Sequence, residues 1–498
     1  MDISESVGIG PWQLPPLLLT LFRGVPSAML MMIMNFAAPR TRIWCDHDLE
    51  DHENFTRRNN LSENESVTLG ECWTKINDSI VECKSWGFDH SVFSWTITEE
   101  FNLVCQRAWL RAVSQSFYML GMLMGNLIFS HLSDRCGRRI SVILSSFFVL
   151  IFGFLGAFSP SLTIYNITRV FASIGTGGLQ STSITLFMET VPSRHRILFS
   201  LTYGCGWIIG QECMVGVAYW IRNWRHMQIA SSMFALPLIL LSFFMPESPR
   251  WLLTSCKEDE ARREIQRAAR MNKAKPPNFQ AILDSINKTR EPGFGRLTLL
   301  DLMRGSKLRR TTFFVCYAFF ALRILYFHLS FASALIDGNI FLNCALVEIM
   351  ELPGKGLGAL AMKFLRRKVS LGFLFFSSTV SLLTTLSFNK DSTWLTVFVY
   401  SVCKFFLSAA IEILCVYAAE LFPTCVRTMG LGSAYMVSRL GGIISPFLST
   451  IKDVAPHGVI EASLSGLQLL VVLSLMFVPE TFNMRLPDTL QDAEAPLR

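Results

Sequence analysis

Charge is scarce in this chain. Only 17% of its 498 residues are Asp, Glu, Lys or Arg, against about 25% in a soluble globular domain. That density cannot clothe a water-exposed surface, so an ordinary soluble fold is excluded. A phosphate-binding Gly-x-x-x-x-Gly-Lys-Ser/Thr loop is absent, which leaves ATP-driven pumping without support. The eight histidines and thirteen cysteines show no metal-ligand spacing, so no metal and no other cofactor is expected. No enzyme constellation survives either. The first thirteen residues contain no Lys or Arg, and a cleavable signal peptide needs a basic start, so none is expected.

Hydrophobic residues fill the space that charge vacates. They make up 51% of the chain, with 40 Phe and 21 Met. About 20 predominantly apolar residues in a helix cross about 30 Å of hydrocarbon. Twelve stretches meet that requirement, near 14–36, 113–132, 140–158, 163–187, 199–220, 227–245, 311–332, 338–361, 370–388, 393–418, 430–450 and 463–478. The first is the weakest, because Arg23 and two prolines interrupt it. An all-α membrane protein is expected.

The second half repeats the landmarks of the first. Glu189-x-x-Pro192-x-x-x-Arg196 returns as Glu420-x-x-Pro423-x-x-x-Arg427, 231 positions later. Arg138-Arg139 returns as Arg366-Arg367 after 228, and Pro246-Glu247-Ser248 returns as Pro479-Glu480-Thr481 after 233. The expected organisation is two pseudo-symmetric six-helix halves, 1–245 and 311–478. A basic linker at 246–310 joins them, and 479–498 is a tail. Such repeats place a substrate site between the halves near the bilayer midplane.

Charge distribution orients the bundle. Residues 246–310 hold fifteen basic and eight acidic residues, whereas 40–108 hold seven basic and thirteen acidic. Basic loops stay on the cytoplasmic side, so both termini are expected there, and the loop at 37–112 outside. That loop carries four glycosylation sequons, at Asn54, Asn60, Asn64 and Asn77. It also holds Cys45, Cys72, Cys83 and Cys105, enough for two disulfides whose connectivity the sequence leaves open. The net charge of +7 follows from these loops and needs no nucleic acid. Within the linker, Glu258 to Arg270 has helical periodicity, with acids first and bases last, as the helix dipole favours. A solvated helix beneath the bundle is expected.

Asp134-Arg-Cys-Gly137-Arg138-Arg139 resembles the signature loop of the major facilitator superfamily. The resemblance implies a gating role for Asp134, Arg138, Arg139, Glu189, Arg196, Glu420 and Arg427, which would latch the two halves in one state. The second copy, Gly358 to Arg367, lacks the acid and the turn glycine. Longer blocks narrow the match: Thr98-Glu-Glu-Phe-Asn-Leu-Val-Cys105, Pro246-Glu-Ser-Pro-Arg-Trp-Leu252 and Ala419-Glu-Leu-Phe-Pro-Thr-Cys-Val-Arg427. With the cysteine-bearing first loop, they resemble the organic ion transporter family of solute carriers, closest to its organic anion branch. This implies a plasma-membrane carrier of small organic anions working by alternating access, with exchange against a dicarboxylate as one route.

The resemblance also points to substrate contacts. The position of Arg439 is typically basic in anion and carnitine carriers and acidic in cation carriers, and a lysine at Lys355 resembles the anion branch. A charge at helix centre costs roughly 2.5–3.5 kcal/mol on insertion scales, so it faces a cavity or a partner. Trp207 and Tyr326 match cavity-lining places, and Asn35 in the first span is a further polar candidate. The alternative for each cation is an ion pair with Glu348, Glu351 or Glu412. Glu412 departs from the anion pattern, being usually neutral. It could neutralise Arg439 or Lys355, bind the amine of a zwitterion or carry a proton. Glu212 and Arg323 are likewise unexpected, whereas Arg169 is read as structural and His328 as packed. A zwitterion carrier, a cation carrier and a non-transporting scaffold or sensor therefore stand as alternatives.

Overall fold

The computed structural model describes residues 7–45, 68–69, 72–76, 79–83, 85–192, 197–274, 279–280, 283, 301–387, 393–423, 426–452, 456 and 458–482. Asn54, Asn60, Asn64, Asn77 and Arg196 lie outside them.

All twelve expected spans are helical. The first is a run of three helices, α1 (Leu14–Phe22), α2 (Gly24–Met32) and α3 (Met34–Ala37). The breaks at Arg23 and Ile33 keep right-handed helical dihedrals, so the chain continues in one direction. Pro15 and Pro16 do not break it, because they occupy the first positions of α1, where no amide partner is lost. A short helix, α4 (Ile97–Glu100), precedes the second span. That span and the next three are α5 (Leu110–Cys136), α6 (Arg138–Gly156), α7 (Leu162–Thr190) and α8 (Ile197–Trp220), and α9 (Trp224–Met233) with α10 (Leu236–Phe243) forms the sixth. The linker contributes α11 (Pro249–Thr254), α12 (Glu258–Met271) and α13 (Asp301–Arg304). The second half follows as α14 (Ser306–Ala332), α15 (Ile340–Ile349) with α16 (Glu351–Phe364), α17 (Arg367–Thr384), α18 (Thr393–Leu421), α19 (Arg427–Lys452) and α20 (Val459–Ser474).

Among the described residues, eight of these spans are long and apolar enough to cross a membrane, by length and composition. The other four are α7, α8, the α15–α16 pair and α19. They are richer in glycine, hydroxyl and charged residues, as helices facing a polar interior must be. Helix approach depends on missing side chains. A Cβ on Gly206 of α8 would lie 1.9 Å from the carbonyl oxygen of Leu21 in α1. Gly137 turns the chain between α5 and α6 at φ +102°, which a side chain would resist.

The loop between the first two spans carries two small antiparallel sheets. β1 (Ile43–Cys45) pairs with β5 (Trp86–Phe88), Trp44 opposite Gly87. β3 (Trp73–Ile76) lies between β2 (Thr68–Leu69) and β4 (Ser79–Glu82). The disulfides are Cys45–Cys83 and Cys72–Cys105, a pairing the sequence left open. Glu100 anchors the end of this loop, accepting from Trp95 Nε1 (2.9 Å), Trp224 Nε1 (2.8 Å) and Arg225. Burial pushes its carboxyl up, but the hydrogen bonds of Arg225, Trp95 and Trp224 outweigh that and hold it below the usual carboxylate range.

The linker helix is less solvated than its charge suggests. Ala261, Ile265 and Ala268 of α12 are buried with Trp12 and Trp251. Trp12 Nε1 donates to Glu264 at 3.0 Å, clipping the N-terminal segment to the linker.

The repeat persists in contacts. Arg138 pairs with Glu189 at 3.0 Å and with Asp134 at 3.1 Å, and its backbone amide donates to Glu247 at 2.9 Å. Arg367 pairs with Glu420 at 3.5 Å, and its amide donates to Glu480 at 2.9 Å. Arg138 therefore matches Arg367, not Arg366, which shifts the sequence register of that landmark by one. These pairs stay within each half, whereas the resemblance implied a latch between halves. Arg139 donates to the carbonyl of Phe243 (2.7 Å) and Arg427 to that of Phe422 (3.3 Å), again inside one half.

Candidate functional site

A chain of polar side chains crosses the seam between the halves. It starts on α16, where Glu351 and Lys355 stand four residues apart and so share one face. Lys355 Nζ lies 3.3 Å from Glu351 and 3.1 Å from Glu412 of α18. Its stem rests against Gly204 of α8, where a Cβ would sit 2.8 Å from Lys355 Cδ. Glu351 accepts the hydroxyl of Tyr326 at 2.6 Å, and that hydroxyl accepts Trp207 Nε1 from α8 at 2.9 Å.

A second pair adjoins the first through the same tyrosine. Lys404 of α18 is fully buried, 3.0 Å from Glu348 and 3.5 Å from the centre of the Tyr326 ring. Its ammonium also donates to Ser330 Oγ at 2.5 Å. Glu348 accepts Gln211 Nε2 from α8 at 2.5 Å. Ionised groups leave water only when paired and hydrogen-bonded, and here each lysine meets a carboxylate. Three carboxylates serve two lysines. Arg323 stacks on Tyr326 and Phe327, 5.7 and 5.9 Å from the ring centres. On α8, Glu212 is partly buried, with Oε1 out of water.

Arg439 belongs to a different helix of the seam. Its guanidinium reaches from α19 into the other half, donating to Gln180 Oε1 of α7 at 2.6 Å and contacting Met122 Sδ of α5 at 2.8 Å. The side chain is half-buried. Nearby, Ser116 Oγ donates to the carbonyl of Ile443 at 2.7 Å, and Asn35 Nδ2 to that of Ser330 at 3.0 Å. Both contacts bridge the two halves near the 37–112 loop.

The sequence reading therefore divides. Lys355, Glu412, Tyr326 and Trp207 meet in one network, which Asn35 touches through Ser330, while Arg439 reaches the other half at Gln180. Of the partners weighed for Glu412, the structure selects Lys355. Arg169 is buried, donating to Gln115 and packing over the rings of Tyr118 and Tyr165. His328 is fully buried. Lys404 and Gln211 escaped sequence reasoning. An ammonium inside an apolar run was the available signal for Lys404, whereas nothing marked Gln211.

A duplicated helical bundle with charge at its seam defines a multi-pass membrane carrier. The chain matches the Sugar (and other) transporter family over residues 31–489. It is 32% identical over 421 residues to the organic cation transporter protein of Drosophila melanogaster, covering 83% of this chain and 76% of that one. It is 31% identical over 403 residues to organic anion transporter 3 of Mus musculus, covering 80% and 75%. Its fold matches the inward-open xylose transporter XylE from E. coli, with TM-score 0.65, 18% identity, and 98% and 99% of the chains covered. This chain belongs to the organic ion transporter family of solute carriers within the major facilitator superfamily.

Proposed function

We propose that the chain carries small organic anions across the plasma membrane by alternating access, with both termini cytoplasmic. The carrying observation is Arg439, a half-buried guanidinium that reaches across the seam and donates to Gln180 of the other half. A substrate carboxylate would replace the amide oxygen of Gln180 with a stronger, charge-assisted acceptor. Its relatives include both organic cation and organic anion transporters, so the charge preference rests on Arg439. The seam contacts on the loop side support a state closed to that side, and the halves would rock about the Tyr326 network to reopen it. Exchange against a dicarboxylate is part of the same proposal.

A second reading rests on the surplus carboxylate. Lys355 is shared by Glu351 and Glu412, so a substrate amine could take one acid while its carboxylate takes Arg439. That would make the substrate a zwitterion. Uptake in oocytes of an aromatic monocarboxylate, a dicarboxylate, a zwitterion and a quaternary amine separates the readings. Saturable uptake of the carboxylates supports the proposal, and uptake of the quaternary amine alone overturns it.

A further inference from the structure

Glu212 is a carboxylate at the seam that neither lysine pair uses. It follows Gln211 on α8, whose Nε2 donates to Glu348 of α15 across the two halves at 2.5 Å. Lys404 pairs with the same oxygen of Glu348 at 3.0 Å. The Oε1 atoms of Gln211, Glu212 and Glu348 are all out of water and meet no donor among the described residues. Gln211 and Glu348 are themselves almost fully buried, at 1% and 4% exposure. Three acceptors without a donor are costly, because a polar group leaves water cheaply only when hydrogen-bonded.

The surroundings supply no ready partner for Glu212. α8 packs mainly on α1, α2, α9, α15 and α16. α1 and α2 carry no charge apart from Arg23 at their junction, and α9 carries His226 and Arg225, which is bound to Glu100. α16 carries Glu351, Lys355 and Lys363, with Lys355 held by Glu351 and Glu412. α15 brings Glu348 and the Cys344 thiol, and α8 itself holds Cys205, Cys213 and Tyr219. Glu348 is the main charge acting on Glu212, and it repels.

We infer that Glu212 is a proton-binding residue that controls the packing of α8 on α15. A proton on its carboxyl removes one of two like charges and turns an acceptor into an O–H donor for Gln211 or Glu348. A proton needs no room, whereas a metal ion or a ligand amine needs an approach that the burial of Gln211 and Glu348 denies. When the halves part at this point, water reaches Glu212, the carboxyl ionises and its proton returns to water. Opening of the seam here and deprotonation of Glu212 are therefore one event, and acid favours the packed arrangement. This rests on the alternating-access part of the proposed function and not on the charge of the substrate.

Infrared titration of the purified full chain tests the proton itself. At about pH 6.5, well above the value of about 4.3 for an ordinary glutamate, the wild type should show a protonated-carboxyl band that Glu212→Gln removes. Should that variant misfold, Glu212→Asp should shift the band instead. Absence of the band, or a band that neither variant alters, overturns the site. Uptake into proteoliposomes of an aromatic sulfonate, which stays ionised throughout, tests the coupling. The wild-type initial rate should differ at least about threefold between about pH 5.5 and 8, and Glu212→Gln should flatten that profile. Exchanging sodium for potassium should change neither. A profile that Glu212→Gln leaves intact overturns the coupling, and a requirement for sodium overturns the proton in favour of a metal ion. If the wild type moves no sulfonate, the proposed function fails, and the infrared band still decides the proton site.

Discussion

Lys355 Nζ lies 3.1 Å from Glu412 and 3.3 Å from Glu351, one ammonium held by two carboxylates from two helices. This sharing sets the charge that a substrate meets. Replacing Glu412 by Gln leaves one acid on the lysine. KM for a monocarboxylate should then fall about fivefold, equivalent to roughly 1 kcal/mol. For a zwitterion KM should rise instead. Concentration-dependent uptake of both substrates by the variant gives the answer, and an equal response of the two would remove Glu412 from charge selection.

Arg138 and Glu189 are nearly buried and 3.0 Å apart, while their repeat equivalents Arg367 and Glu420 are 3.5 Å apart. A double-mutant cycle on Arg138→Ala and Glu189→Gln should give a coupling of about 1.5–3 kcal/mol, as for charged hydrogen bonds. The Arg367 and Glu420 cycle should give less. Thermal unfolding of the detergent-purified protein measures both. A coupling near zero in the first cycle would deny the pair a structural role.

Gly206 and Gly216 share a helix but not an environment. A Cβ at Gly206 would meet the Leu21 carbonyl at 1.9 Å, whereas none meets a neighbour within 4 Å at Gly216. Gly206→Ala should therefore separate the first and fifth spans and abolish surface expression. Gly216→Ala should be tolerated, and alanine's helix propensity should add up to about 1 kcal/mol. Surface biotinylation distinguishes them.

The repeat and the spans were legible because each is written as a pattern along the chain. Apolar runs dictate spans, and the recurrence of Glu189 at Glu420 dictates the duplication. Disulfide partners were not legible, since Cys45 meets Cys83 only after the strands pair. Nor was the choice of Lys355 over Arg439 as the partner of Glu412, which depends on helix rotation. Lys404 sat in plain view within an apolar run, yet its role needed Glu348 from another helix. Gln180 and Gln211 carry no sequence signal, because neutral amides acquire meaning only from what they face.

Glu100 makes the long loop sensitive to acid. Its folded pKa lies below the unfolded value of about 4.3. Its stabilisation is therefore fully present above that value and fades as pH falls through the lower folded one. Between about pH 5 and 3 the wild type should lose more thermal stability than Glu100→Gln. Parallel losses would show that another group controls the acid response.

Arg439 carries the central claim, that a cation at the seam selects substrates by charge. The most direct measurement compares wild type and Arg439→Ala, reconstituted at equal amounts in proteoliposomes, for kcat/KM of an aromatic monocarboxylate and a quaternary amine. The account predicts that the variant loses at least about tenfold with the carboxylate, the scale of one charge-assisted contact, and gains or keeps its rate with the amine. Undiminished carboxylate transport by correctly folded Arg439→Ala would contradict it.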